Sequence, residues 1–433
     1  MGHLVGKDLY RELGKKIDGL TVRAPWSETL YAVLTEIYTP EEAEVFVGMP
    51  YTLASLGRIA RSSGYQPAKL RSILESLADK GLVIDLCFDD GYRYMPSPLF
   101  IGIFEFTMMR TAPGADLAKI GRLFHEYLSE GRVFAENCQG GERVNLLRAL
   151  PHEGTVEEHV EILDYEKASA IVAEKEKFAL GICSCRHEKL HAGVKKCQVP
   201  LGVCSSFDRG ADLLIRHGMA REVSKGEMLD TLARSRELGL VLSADNVQKN
   251  VGFICHCCAC CCNVLQGVSR FGYPNMIVTS SFIAGADPAE CQACGTCVEA
   301  CPIDAIVMKP TAGEGADGPR PEVDTALCMG CGVCALSCPP EAMKLHPRQQ
   351  RVIHPETTFE RVLLQCLERG TLQNQIFDDP GSLTQKAMRA LLGAFLRLPP
   401  VKRALMSDLL RSRFLAAMKA GVAAQGKANL TTM

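Results

Sequence analysis

No apolar run in the 433 residues approaches the roughly 18 that a membrane-spanning helix needs. The opening MGHLVGKDLYRELGKK has neither an apolar signal core nor a twin-arginine pair, so the expected compartment is the cytoplasm. Net charge is scarce as well. Lys and Arg number 48 against 50 Asp and Glu, giving -2, so nothing global draws the chain to nucleic acid or another polyanion. Paired catalytic carboxylates, a Ser-His-Asp set and a phosphate loop are all missing, which removes the usual machinery of hydrolysis and phosphoryl transfer. One G-x-G-x-x-G match, Gly313 to Gly318, lies between Pro310 and Pro319 instead of between a strand and a helix, and reads as a loop.

What the chain has in excess is cysteine. There are 21, an odd number that suits disulfide pairing poorly, and in a reducing compartment clustered cysteines point to metal or redox chemistry. Cys87, Cys138 and Cys366 stand alone and are expected to serve as small apolar residues. The length allows two to four domains, and 47% hydrophobic with 23% charged residues is ordinary for a globular chain.

The first region, 28–98, alternates helical and strand patterns. SETLYAVLTEIY places Leu30, Val33, Leu34 and Ile37 on one helical face. A helix pair then turns at Gly64 and ends at Gly81, and VIDLCFDDGYRYMPSP reads as a hairpin about Asp89-Asp90-Gly91. This order resembles the winged-helix domain. A DNA reader of that kind needs positive charge. Residues 51–100 set Arg58, Arg61, Lys69, Arg71, Lys80 and Arg93 against Glu75, Asp79, Asp85, Asp89 and Asp90, for only +1. DNA is therefore disfavoured, and docking to protein or homodimerisation is expected of this domain.

An internal repeat dominates the later sequence: CQACGTCVEACPIDAI from Cys291 and CMGCGVCALSCPPEAM from Cys328. Both read Cys-x2-Cys-x2-Cys-x3-Cys-Pro and resemble the bacterial two-cluster ferredoxin, in which the fourth cysteine of each run serves the other cluster. The resemblance implies one [4Fe-4S] cluster on Cys291, Cys294, Cys297 and Cys338, and a second on Cys328, Cys331, Cys334 and Cys301. Gly295, Gly330 and Gly332 let the loops bend closely, and Pro302 and Pro339 fix the backbone after the fourth ligand. A pair of structural zinc sites is the plainer alternative.

Ten further cysteines lie upstream. Cys183, Cys185, Cys197 and Cys204 form one group, and CHCCACCC adds Cys255, Cys257, Cys258, Cys260, Cys261 and Cys262. On a helix the octet would present Cys255, Cys258 and Cys262 on one face and Cys257, Cys260 and Cys261 on the opposite one. On a loop it would wrap a single site. The expected outcome is at least one additional iron–sulfur cluster, held mainly by Cys183, Cys185, Cys197 and Cys204, with the octet contributing. Two clusters, a larger cluster, zinc, or a metal-free thiol store remain open. His187, His191 and His256 are either ligands or hydrogen-bonding neighbours. Arg186, Lys189, Lys195 and Lys196 are either counter-charges to a cluster or a solvated basic face. The combination of GICSCRH, KKCQVPLGVC and CHCCACCC with a C-terminal ferredoxin is similar to a group of iron–sulfur proteins from anaerobes.

From Thr384 onward Lys386, Arg389, Arg397, Lys402, Arg403, Arg411, Arg413, Lys419 and Lys427 face only Asp408, for +8. Interleaved leucines and phenylalanines make this an amphipathic basic segment split by Pro399-Pro400. It suits an acidic partner, the inner face of a membrane, or simply the chain's own core.

The expected fold is thus α+β and multidomain. A winged-helix-like domain (28–98) is followed by a helical connecting region (99–177) and a cysteine-rich metal-binding domain (178–286). A ferredoxin-like 2[4Fe-4S] domain (287–350) and a helical basic tail (351–433) complete it. The function expected is an electron carrier of anaerobic metabolism. It would relay single electrons between the two [4Fe-4S] clusters, a further central cluster and a partner oxidoreductase, whose identity the sequence leaves open. An oxidoreductase with substrate at the central cluster, and a redox-sensing winged-helix regulator, are the alternatives.

Overall fold

The computed structural model describes residues 2–432 apart from 89–90, 112–113, 115, 158, 311–317 and 425–427. The Asp89-Asp90 turn, all but the last residue of the Gly313–Gly318 match and Lys427 therefore lie outside the described residues. The chain begins with α1 (Gly2–Asp18), ahead of the region where the first domain was expected, and buries Leu13 and Ile17 completely. α2 (Glu28–Ile37) is capped by Ser27, whose hydroxyl accepts from the Leu30 amide, and it buries the stripe Leu30, Val33, Leu34 and Ile37. Thr39 and Glu42 form a capping box that opens α3 (Pro40–Gly48), with Pro40 in its first turn. β1 (Ala54–Ser55), α4 (Leu56–Ser63), α5 (Pro67–Asp79), β2 (Val83–Phe88) and β3 (Gly91–Pro96) follow. The strands form an antiparallel sheet of order β1-β3-β2. Gly64, at φ 76, ends α4 in the left-handed conformation. Cys87 is exposed on β2, contrary to its expected apolar role, whereas Cys138 and Cys366 are buried; near the end of an edge strand a side chain has nothing to pack on.

Next come α6 (Phe104–Met109), α7 (Leu117–Ser129) and α8 (Arg132–Cys138). The connecting region is not helical throughout, because it also supplies β4 (Leu147–Leu150). All four residues of β4 are buried, so the segment lacks the alternation that marks a strand in sequence. After α9 (Ala168–Ala173) come β5 (Phe178–Gly181), α10 (Ser184–His191), β6 (Cys204–Phe207), α11 (Asp208–Arg216) and β7 (Ala220–Val223). α12 (Lys225–Glu237), β8 (Val241–Asp245), β9 (Phe253–Cys257) and α13 (Asn263–Ser269) complete the central region. Its strands form one antiparallel sheet of order β4-β8-β9-β6-β5-β7.

The ferredoxin-like region contains β10 (Phe282–Ala286), α14 (Thr296–Ala300), β11 (Ile306–Pro310), β12 (Pro319–Val323), α15 (Val333–Leu336) and β13 (Met343–Pro347). β10 pairs with β13 and β11 with β12. The tail is helical: α16 (Thr358–Arg369), α17 (Leu372–Ile376), α18 (Leu383–Leu396), α19 (Pro399–Met406) and α20 (Asp408–Ala424). Pro399 starts α19 as expected, and a further break falls at Ser407. Several tail cations are spent on the chain itself. Arg389 donates to the carbonyls of Phe377 and Asp379, and Lys419 pairs with Glu360 at 2.7 Å.

These regions share cores. One apolar cluster runs from the N-terminal helices through Leu147, Cys257 and Cys262 to Cys297, Cys331 and Met343. The β2 strand is docked on the central domain by Arg216 and His217 of the α11 end, which reach the buried Asp85 at 2.8 and 2.9 Å. His217 also meets Asp79 of α5 at 2.7 Å. Burial alone would raise the Asp85 carboxyl, but the hydrogen bonds from His217 and Arg216 hold it down at about 2.

Candidate metal centres

The central sheet turns cysteines distant in sequence into neighbours. Gly181, the last residue of β5, pairs with Cys204 at the start of β6. On the other side of β6, Ser205 pairs with Ile254, so the next step of the antiparallel register sets Cys204 against Cys255. Alternation along β9 puts Cys255 and Cys257 on one face and His256 on the other. Cys183 caps α10, Cys185 lies in its first turn, and Cys262 immediately precedes α13. Thiol contacts then link Cys204 to Cys255, Cys255 to Cys257, Cys257 to Cys262 and Cys262 to Cys185. Cys183 sits beside both Cys185 and Cys204 and closes a ring of six.

The ring lines a cavity of about 180 Å³, whose remaining wall includes Glu105, Phe106, Met109, Leu147 and Leu214. Cys183, Cys185, Cys204 and Cys255 owe their partial exposure to this cavity, since dense protein surrounds them otherwise. Burial pushes the Cys183 thiol up to about 12, while hydrogen bonds from Cys255 and Cys262 bring Cys257 down to about 6. Burial also pushes the Glu105 carboxyl up to about 7. Glu105 accepts from the Gly102 amide at 3.3 Å, beside Ile101, whose φ of 51 is a strained conformation for a β-branched residue.

A second group sits behind the ring. The sulfurs of Cys197, Cys258, Cys260 and Cys261 all lie within 4.8 Å of one another. Cys258 borders the cavity as well and so touches both groups. The octet is therefore not a two-faced helix, nor does it wrap one site. Cys255–Cys257 belong to a strand paired on both sides, and residues 258–262 form a turn closed by the Cys262 amide on the Cys258 carbonyl at 3.1 Å. The Cys183, Cys185, Cys197 and Cys204 group divides too: Cys197 joins the rear tetrad and the other three join the ring. The physical reason is the sheet, which fixes Cys183 and Cys204 beside β9 while Cys197 rides on the intervening loop.

The candidate histidines are all engaged elsewhere. His256 lies between Ser205 and Ser235 at 2.8 and 2.7 Å, and burial lowers its imidazole to about 3. His187 contacts the Met108 carbonyl at 2.6 Å and His191 at 2.9 Å. Of the cations, Arg186 is fully buried between the two cysteine groups. It donates to Cys258 Sγ at 3.4 Å and to the carbonyls of Pro200 and His256. Burial opposes its charge, but Cys183 and Cys258 hold its pKa above the ordinary value. Lys189 is buried in an ion pair with Glu188 at 2.8 Å and donates to Asn263 Oδ1, also at 2.8 Å; Asn263 in turn donates to Cys185 Sγ at 3.7 Å. Lys195 donates to the Cys197 carbonyl, whereas Lys196 is exposed.

The ferredoxin runs form two smaller cavities of about 20 Å³ each. One is lined by Cys291, Cys294, Cys297 and Cys338, the other by Cys301, Cys328, Cys331 and Cys334. These are the crossed sets that the ferredoxin resemblance implies, and four thiols around each cavity fit a cubane. In the first set Cys294 is exposed; in the second Cys328, Cys331 and Cys334 are all buried. Arg320 donates to the Cys291 carbonyl and Arg348 to the Cys328 carbonyl, so a cation braces the first cysteine of each run. Neither arginine is marked by a motif, and Glu105 is equally silent in sequence; only the fold brings them to the sites.

Residues 290–361 match the family described as the 4Fe-4S dicluster domain. They form a ferredoxin-like iron–sulfur domain with two [4Fe-4S] clusters, and an iron–sulfur electron-transfer role follows from it. Searches of the curated proteins and of the solved structures gave no match. Among the described residues no helix is long and apolar enough to cross a membrane.

Proposed function

We propose that the chain passes single electrons between a redox partner and an iron–sulfur centre held by the ring of Cys183, Cys185, Cys204, Cys255, Cys257 and Cys262. The two cysteine sets of the dicluster domain are the relay. A [4Fe-4S] cluster supplies one-electron chemistry with little structural change. The observation that carries the reading is the connection between the inner cysteine set and the central cavity. Leu147 lines that cavity, and its carbonyl accepts from the Val278 amide at 2.9 Å. Two residues on, Ser280 donates from its amide to the Met329 carbonyl at 3.0 Å, between Cys328 and Gly330. This backbone path spans on the order of 15 Å at full extension. The exposed Cys294 loop, at the opposite end, offers a partner protein the shortest approach.

Cavity volume favours a second reading, an oxidoreductase acting at the central site. By one measure the ring cavity is about 180 Å³ where each cubane cavity is about 20 Å³, so there is room for a larger cluster or for a cubane with a substrate. Glu105, on the same wall, is placed to hold or release a proton there. The regulator reading finds less support. The N-terminal helices and hairpin have the element order of a winged helix, but Asp79 and Asp85 are engaged by the chain's own Arg216 and His217. That favours docking over DNA reading.

Anaerobic isolation with iron and acid-labile sulfide counted per chain tests the proposal. The expected result is clearly more than the roughly eight irons of two cubanes, with the excess lost in the Cys255→Ser/Cys257→Ser double variant. About eight irons in the parent chain, and no change in the variant, would sink it.

A further inference from the structure

We infer that Cys197, Cys258, Cys260 and Cys261 bind a single tetrahedral metal ion, separate from every iron–sulfur cluster, with zinc the ion this site prefers. The inference is independent of what the ring holds.

Sulfur spacing decides the matter. Cys197 Sγ lies 3.8 Å from Cys258 Sγ and 3.7 Å from Cys261 Sγ, and Cys260 Sγ lies 3.9 Å from Cys258 Sγ and 3.5 Å from Cys261 Sγ. A tetrahedral ion with metal–sulfur bonds of about 2.3 Å sets its four sulfurs about 3.8 Å apart. A cubane has its own metal–metal edge between the bonds, so it must hold its thiolates well beyond that. The same chain provides the control. Among the described residues, the tetrad is the one group of His, Cys, Asp or Glu that closes to within 4.8 Å; neither dicluster set nor the ring does so.

The surroundings suit a closed site. Cys258, Cys260 and Cys261 come from one tight turn, anchored where Gln266 donates to the Cys260 carbonyl at 2.8 Å. Cys197 arrives from the loop after α10, with Lys195 on its carbonyl. Leu240 and Val199 pack against the cysteines. Four thiolates around a divalent ion leave two negative charges, and Arg186, donating to Cys258 Sγ, offsets part of them. With four protein ligands there is no open position for substrate, which is the arrangement of a structural site. Its consequence is local. The tetrad's turn lies between Cys257 and Cys262, so the ion fixes the separation of two ring thiols and ties the 192–203 loop to them.

The test uses the full chain, purified anaerobically with and without zinc in the growth medium. About one zinc per chain is expected. Absorption at the zinc edge should show sulfur neighbours only, with no second metal nearby, a readout that needs no substitution. Growth in cobalt should give the visible bands of a tetrahedral tetrathiolate, and Cys260→Ser should remove them together with the zinc while labile sulfide is unchanged. One sulfide-free iron in place of zinc keeps the mononuclear site and changes only the preferred metal. The inference is overturned if the parent chain carries neither zinc nor sulfide-free iron. It is also overturned if Cys260→Ser loses iron and sulfide in equal amounts, or leaves the zinc in place.

Discussion

The two cysteine runs of the dicluster domain follow one spacing, yet a Cβ added at Gly295 would meet nothing within 4 Å, while one at Gly332 would run into Thr155 and Leu345. The neighbouring positions repeat the contrast. Ala293 and Gly330 occupy equivalent places and both have positive φ, 55 and 68. Alanine suffices in the outer run; in the inner run a Cβ would overlap the Phe282 carbonyl and the Ser280 hydroxyl. The inner run is packed against the central domain, even to a hydrogen bond from the His152 amide to the Cys331 carbonyl at 3.1 Å, whereas the outer run leaves Cys294 exposed. The difference in surroundings is what would give the proposed relay a direction, with the exposed run toward a partner and the packed run toward the ring.

The largest expected effect breaks that direction. Cys331→Ala should leave the outer set reducible by a protein donor while the central centre stays oxidised over the same interval, followed by rapid-mixing absorbance and freeze-quench EPR. Cys294→Ala should slow reduction of everything by a protein donor, yet leave the central centre open to a small chemical reductant. If the inner variant still reduces the central centre at the parent rate, electrons reach the ring by another route and the direction is wrong.

A smaller effect sharpens the same contrast. Gly295→Ala should cost about 1–2 kcal/mol, the strain of an alanine in the left-handed region. Gly332→Ala carries that strain plus overpacking, for about 2–5 kcal/mol in all. Anaerobic chemical denaturation of the metal-loaded chain measures both. Equal costs would mean that the inner run is not held by the packing described.

How much of this could be read in advance differs between the same regions. The eight dicluster cysteines are legible because each set takes three members from one short loop and its fourth from a fixed place in the other run, and spacing is a property of sequence. The ring and the tetrad are not. Clustering makes all ten of their cysteines metal candidates, but their division depends on the pairing of β6 with β9 and on which face of β9 each residue takes. The helix drawn for the octet failed because periodicity cannot register that both edges of β9 are already paired. α2 and the turn at Gly64 were legible from periodicity and punctuation, whereas β4, buried on all four residues, carried no strand signature.

The joint between β2 and α11 extends the comparison to pH. Asp85 titrates at about 2 in the folded chain, below the ordinary carboxylate value of 3.8. Its folded pKa is depressed, so its contribution of about 2 kcal/mol is present above roughly pH 4 and is lost as pH falls toward 2. His217 has the opposite sign. Burial works against its charge, but the hydrogen bonds it donates to Asp85 and Asp79 raise its pKa above 6.5. Its contribution is complete below that value and is lost as pH rises through the elevated one. The joint should therefore be tightest between about pH 4 and 6.5. Asp85→Asn should flatten that profile on both sides. The apolar core behind the joint continues to Cys331 and touches the outer run at Cys297, but leaves Cys294 at the surface. Hydrogen exchange should consequently rise in β2, α11 and the inner run, and stay unchanged around Cys294 in the outer run. Equal changes in both runs would show that the dicluster domain moves as one body, and that the distinction between its two faces is confined to the static packing.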